Sequence, residues 1–316
     1  EKTAEGYGKA FGACYADRYN GEILIATGRS KRTYGDTYHA YYFGISTDFN
    51  GANAQGYGGG CVTLNYVDKF PFSNGEPAPY AEWIRTHNST GTVTDNPFSN
   101  RDPRLYQSVM VPGGPFRDCV AQMWEGGGSE DLVNYAKDRA ATGFCNRKYL
   151  WDYNRATFYD KPMNYSYMRL AEVYLAYAEA LNEYKDERTV REEALNYVNK
   201  IRTRAGIRTY TFGNSDAQNI HVDDNQETVR KIIRAERRVE LCGEGVRYDD
   251  LRRWKEAEKK LNGDMYGMNY SGKDAEAFYV RTPYQKRVYN PAYYWFPIHQ
   301  SEMDKNENLR QLPFWR

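Results

Sequence analysis

From residue 166 onward, apolar positions recur with a helical period. Leu170, Val173, Tyr174, Tyr177 and Leu181 fall at i, i+3, i+4, i+7 and i+11, one stripe of an amphipathic helix with Ser166 placed as its N-cap. A second helix carries Ala194, Val198, Ile201 and Ala205 on one face and stops at Gly206. The polar turn KDERT (185–189) is short enough to make the pair a helical hairpin of tetratricopeptide type, although the chain lacks the period of roughly 34 residues that a true array shows. After a polar linker over about 207–225, a third helix shows Val229, Ile232 and Ile233 as its stripe. Counting on by seven and eleven from Val229 reaches Glu236 and Glu240, so two carboxylates stand in line with the buried face.

The first 157 residues have another texture. Gly, Asn, Tyr and Pro punctuate strand-like runs such as EILIAT (22–27) and LYQSVMV (105–111), and no long helical period survives. The pattern predicts a mainly α protein with extensive irregular loops and short β-strands: a loop-rich mixed region over 1–157 and a helical scaffold over 158–316. At this length one large domain or two are both compatible. At the C-terminal end, Pro291, Pro297 and Pro313 deny regular helix or central strand. Tyr294, Trp295, Phe296 and Leu309 are therefore expected to anchor an ordered extended strap, with Ser301 and Asp304 at a short helical turn.

Charge then sharpens one stretch, IRAERRVELCGEGVRYDDLRRWKEAEKKL (233–261), dense enough for a nucleic-acid face, a catalytic centre or plain architecture. Lys and Arg number 43 against 42 Asp and Glu, a net charge of +1, which denies the chain the positive field that drives binding to nucleic acid. An ionised carboxylate on an apolar face is costly unless paired, and arginine supplies a planar fork for that purpose. Glu236 and Glu240 are thus predicted to be buried clamps, with Arg169, Arg247, Arg252 and Arg253 as their partners.

Other chemistry is sparse. Cysteines 14, 61, 119, 145 and 242 show no C-x-x-C spacing, so Cys119 and Cys145 either bridge neighbouring segments or stay buried thiols. Histidines 39, 87, 221 and 299 stand apart, and DFNGAN (48–53) misses the EF-hand pattern, so no metal and no cofactor is expected. No apolar run is long enough to span a bilayer, and the first residues lack a signal peptide, so the chain is either cytoplasmic or has lost its address. No G-x-S-x-G, Walker or G-x-G-x-x-G motif sits in its required context.

Several ordered blocks resemble the SusD/RagB family: YMRLAEVYLAYAEALNE (167–183), VNKIRTRAGI (198–207), ERRVELCGEGVRYDDLRRW (236–254) and YWFPIHQSEMDKNENLRQLPFW (294–315). NRDPRLYQSVMVPGG (100–114) and, more loosely, GYGGGCVTLNYVDKF (56–70) join them. The resemblance implies one continuous SusD-like domain in a non-catalytic surface lipoprotein of the outer membrane, binding glycan or peptide for a SusC-type TonB-dependent transporter. It also implies a preceding helical half of the same protein and an upstream lipid-anchored cysteine. Neither is in this sequence, which is expected to be the C-terminal portion.

Ligand choice in such proteins is implied to lie in variable aromatic loops. Here 30 Tyr, 13 Phe and 6 Trp accompany a mean hydropathy of −0.86, so many rings must meet water. The apolar face of a pyranose stacks on such rings while its hydroxyls need Asn, Asp, Gln or Arg. The segment 31–60 best meets that demand, and Tyr38, Tyr42, Asp48, Asn50, Tyr57 and Trp83 are the predicted ligand residues. A glycoside hydrolase would use the same aromatic subsites with an added carboxylate pair, and a tetratricopeptide-type scaffold would take a peptide in a helical groove.

Overall fold

The computed structural model describes residues 4–17, 19–29, 47–49, 52–54, 60–78, 80, 96–116, 119–120, 123, 140–148, 163–273 and 275–315. Three helices form its regular frame: α4 (Leu170–Tyr184), α5 (Arg188–Ala205) and α6 (Gln226–Glu240). On α5 the expected face holds, with Ala194, Val198, Ile201 and Ala205 all buried and Gly206 closing the helix at φ 72°. On α6, Val229 and Ile233 are buried as expected, and the Asn225 side chain caps the first turn.

The α4 stripe is rotated from its predicted position. Ala171, Leu175, Ala178 and Asn182 are buried, whereas Val173 and Tyr177 are exposed. Small Ala171 and Ala178 let α5 and α6 approach closely, so Tyr177 is turned outward while Tyr174 packs only at the edge of this core. Ser166 is not a cap. It lies in strand β8 (Met163–Arg169), which pairs antiparallel with β1 (Ile23–Arg29), and Arg169 occupies the N-cap position without capping by its side chain.

The region before residue 150 is less regular but contains a helix that the sequence hides. Helix α1 (Ala4–Ala16) carries Gly8 and Gly12 where a Cβ would crowd Gln107 on α3 (Pro103–Ser108). Residues 105–108, expected as strand, are helical because Asp102 caps Arg104 N–H and Pro103 opens the first turn. Only then does β4 (Val109–Met110) begin, paired with β7 (Cys145–Asn146). The described residues of this half also form the short helix α2 (Leu64–Val67) and the antiparallel pairs β2 (Thr47–Phe49) with β3 (Ala52–Ala54) and β5 (Pro115–Phe116) with β6 (Cys119–Val120).

Between α5 and α6 lies a parallel pair, β9 (Thr209–Thr211) and β10 (Asn219–His221); beyond α6 come α7 (Val246–Arg253), α8 (Ala257–Leu261) and the ladder of β11 (Gly263–Met268) with β12 (Arg281–Arg287), with α9 (Ala275–Phe278) between its two strands in sequence. Every named sheet has two strands and none closes. The protein is therefore mainly α with short strands and long irregular connections, as the pattern implied.

The final segment is ordered through Trp315, with one 3-10 turn (Pro291–Tyr294) and α10 (Gln300–Met303). Of its expected anchors, Tyr294 packs against the cluster of Leu251, Ala257 and Tyr289, but the others do not. Trp295, Phe296 and Leu309 are exposed, while Ala292 is buried and the Trp315 indole N–H donates to the Ala292 and Trp295 carbonyls. Rings with no cavity to enter lie over cations instead, as Phe296 does 4.4 Å from the Arg252 guanidinium.

Two apolar cores share α6. Leu175, Val198, Ile201, Val229 and Ile233 make one, and Leu64, Phe70, Phe98, Leu105, Phe144, Val239 and Phe278 the other. Glu236 and Glu240 fall at the seam.

Candidate binding site

At that seam the buried charges form one connected cluster. The fully buried Glu240 carboxylate accepts from Arg104, Arg169 and Arg204, with Arg104 Nη1 at 2.8 Å, and Arg169 Nη2 reaches the Glu240 carbonyl at 2.7 Å. Glu236 accepts from Arg104 at 2.6 Å and Arg202 at 3.3 Å. Arg104 also forks onto Asp102, and Arg169 onto Glu244 at 2.8 Å for both nitrogens. Lys148 Nζ joins Glu244 at 2.7 Å, and Arg204 and Arg169 both reach Glu22.

Five acids (Glu22, Asp102, Glu236, Glu240 and Glu244) thus face five bases (Arg104, Lys148, Arg169, Arg202 and Arg204). Aromatic rings close one side: Lys148 Nζ lies 4.5 Å from the Tyr15 ring centre, and the Arg169 and Arg204 guanidinium groups lie over Phe11.

Electrostatics follow from the geometry. Burial pushes the Glu240 carboxyl up, but Arg204, Arg169 and Arg104 override it and hold it well below the usual carboxylate range. Burial likewise opposes ionisation of Glu244, and Arg169 and Lys148 reverse that sign. A general acid needs a proton near neutral pH and reach to a substrate. Glu240 offers neither, so the cluster is a clamp.

Of the predicted partners, only Arg169 belongs to the clamp. Arg253 pairs with Glu179 and Asp250, Arg252 with Asp249 and the Tyr294 carbonyl, and Arg247 lies over Trp254. Gly243 and Gly245, at φ 69° and 85°, interrupt the helix, so α7 does not continue the face of α6. The partners that sequence reasoning missed, Arg104, Arg202 and Arg204, arrive from α3 and α5; Arg202 and Arg204 sit in the last turn of α5, where basic residues are also favoured by the helix dipole.

The predicted ligand residues are distributed differently. Tyr38, Tyr42, Asn50, Tyr57 and Trp83 lie outside the described residues. Asp48 is placed: it sits on β2 directly opposite Asn53 on β3. On either side of Asn50 and Gly51, which lie outside the described residues, Asp48 and Phe49 pair antiparallel with Asn53 and Ala52 of the same DFNGAN segment.

Among the described residues, a second surface has suitable chemistry. Glu193, Asn196, Tyr197, Asn199, Lys200 and Thr203 line an open groove of about 670 Å³ along the outer face of α5. Tyr174 and Tyr177 meet Tyr197 edge-on at 5.3 and 4.8 Å, and Tyr177 donates to Glu193. Lys200 Nζ stands 4.3 Å over the Tyr197 ring, so a stacking ligand has to displace it. Tyr197 and Lys200, three residues apart on one helix, are the sequence signal for this groove, and Tyr177 of the predicted α4 stripe is exposed beside them.

Comparison with known proteins now gives the frame a family. Residues 22–315 match the SusD family. A SusD-like protein, P2, from Formosa agariphila is 39% identical over 106 residues, which are 34% of this chain and 19% of that protein. A SusD-like protein from Bacteroides fragilis shares the fold at TM-score 0.76 and 22% identity, over 98% of this chain and 58% of its own. A second protein from the same species, described as a SusD-like carbohydrate binding protein, aligns at TM-score 0.58 and 26% identity over 78% of this chain and 48% of its own. The matches cover about half the length of these solved structures and about a fifth of the Formosa protein. With nearly all of its length matched, the chain belongs to the SusD family.

Proposed function

We propose that this protein binds glycan without cleaving it, at the outer-membrane surface, and passes it to a SusC-type TonB-dependent transporter. The observation that carries the reading is family membership over 22–315, together with the 26%-identical Bacteroides fragilis relative described as carbohydrate binding. Among the described residues no helix is long and apolar enough to cross a membrane, which is compatible with a peripheral attachment.

Within one continuous domain, residues 158–316 act as scaffold and residues 1–157 carry the ligand face. Tyr38, Tyr42, Tyr57 and Trp83 supply stacking rings, Asp48 accepts from sugar hydroxyls, and Asn50 accepts from or donates to them. The buried clamp supports this division, because its carboxylates are saturated by arginines and have nothing left for a substrate.

Electrophoresis through gels containing polysaccharide tests the function, followed by sugar analysis of the depleted substrate. Retardation with intact polymer is expected. Release of short sugars would make the protein a hydrolase, and retention only by a peptide library would make it the peptide-binding kind.

A further inference from the structure

Outside the clamp, two cysteines face each other across a backbone bridge. Cys61 and Cys145 form an antiparallel β-bridge. The flanking hydrogen bonds run from Val62 N–H to the Phe144 carbonyl at 3.3 Å and from Asn146 N–H to the Gly60 carbonyl at 3.1 Å. Both bonds belong to residues adjacent to the cysteines, so the cysteines are a non-hydrogen-bonded pair. At such pairs the Cα atoms approach to about 4.5 Å with side chains on the same face. A disulfide spans Cα separations of about 4.4–6.8 Å, so this position lies within its reach.

The register cannot easily slip. On its other edge Cys145 pairs with Met110 of β4, which fixes the strand from both sides. Cys119, the partner that sequence order suggested for Cys145, lies instead in the β5–β6 hairpin, opposite Phe116.

We propose that Cys61 and Cys145 are a redox modification site that closes to a cross-strand disulfide when the protein meets a small-molecule or protein disulfide as oxidant. Cys61 is half-buried and Cys145 is fully enclosed, so the oxidant reaches Cys61 first. The Cys61 thiolate attacks the oxidant, forming a mixed disulfide and expelling one thiolate. Cys145 sulfur then attacks the Cys61 sulfur and expels the second. Two cysteine thiols are oxidised, one oxidant disulfide is reduced to two thiols, and the two protons leave with those thiols. Burial, followed by the neighbouring Cys61, pushes the Cys145 thiol up, which makes the second step the slow one.

The consequence is a covalent cross-link between two stretches of chain that the backbone bridge already holds side by side. This inference rests on strand geometry and stands or falls independently of the glycan reading.

The test equilibrates the full chain in glutathione buffers from fully reduced to fully oxidised, alkylates the remaining thiols after denaturation and maps peptides by mass spectrometry without reduction. The expected result is one cross-linked pair holding Cys61 and Cys145, rising with oxidised glutathione and lost with dithiothreitol. In Cys61→Ser, Cys145 should be recovered alkylated. Cys145 joined to Cys119, Cys61 carrying glutathione alone, or both thiols alkylated at every ratio overturns the proposal. The wild-type map decides by itself if Cys61→Ser does not fold.

Discussion

The helical half and the irregular half of this protein are held together by different means. In α4, α5 and α6 the backbone satisfies itself, and packing needs only apolar faces such as Leu175 against Val198 and Ile233. Among the described residues between 60 and 148 the backbone bends too often for that, and long polar side chains of this stretch take up carbonyls within it and in the chain packed against it. Arg101, though buried, donates to the Phe70 carbonyl at 2.6 Å and the Val67 carbonyl at 3.0 Å. Arg147 reaches the Tyr106 carbonyl at 2.7 Å, Lys148 reaches Cys242 at 2.6 Å, and the Tyr80 hydroxyl binds the Tyr279 carbonyl. Regular structure asks for volume; irregular structure asks for donors of a given length and direction. The charge clamp lies where the two regimes meet.

The largest break in this comparison is at the clamp itself. Glu240→Gln leaves Arg104, Arg169 and Arg204 facing a neutral amide, and uncompensated buried charge costs about 3–5 kcal/mol. Urea unfolding should show a lower midpoint with an unchanged slope. The same residue sets the acid limit. A carboxylate whose folded pKa is depressed contributes stability above its unfolded value of about 4.3, and that contribution disappears as pH falls through the folded value. Glu240 and Glu244 are both depressed, so unfolding should become easier below about pH 4.3 in the parent and change less steeply in Glu240→Gln.

Conservative swaps sharpen the contrast. Arg101→Lys keeps the charge but loses the fork, leaving buried carbonyls unpaired at a cost of about 1–3 kcal/mol. Leu175→Met, a swap of similar volume in the helical core, should cost less than about 1.5 kcal/mol by the same denaturation measurement. Equal losses would mean that both halves obey the same rule.

The smallest effect belongs to the exposed ion pairs. Lys185 and Glu187 are 2.8 Å apart but both about half exposed, so Lys185→Ala should shift stability by no more than about 0.5 kcal/mol. A loss comparable to that of Glu240→Gln would remove burial as the deciding factor.

What the sequence revealed follows the same division. The faces of α5 and α6 were legible because period 3.6 leaves its mark wherever a helix packs on an apolar core, and Glu236 and Glu240 were legible as anomalies on such a face. Their partners were not, because Arg104 lies 132 residues from Glu236 and nothing local signals a contact at that separation. Helix α1 was hidden by Gly8 and Gly12, which read as loop residues but permit close approach to Gln107. The resemblance to a family supplied the identity of the frame; the ligand residues rest on chemistry alone, since five of the six lie outside the described residues.

The most direct measurement is calorimetric titration of a bound glycan, identified on an array, into the parent and two sets of variants. Tyr38→Ala, Tyr42→Ala, Tyr57→Ala and Trp83→Ala remove loop rings, and stacking of this kind contributes on the order of 1 kcal/mol or more each. Glu236→Gln alters the clamp, and Tyr197→Ala opens the helical groove. A scaffold role for the charged helices predicts that loop-ring variants lose affinity while folded Glu236→Gln and Tyr197→Ala bind like the parent. Normal binding by all four loop-ring variants, with loss in folded Glu236→Gln or Tyr197→Ala, would place the ligand on the helices and contradict it.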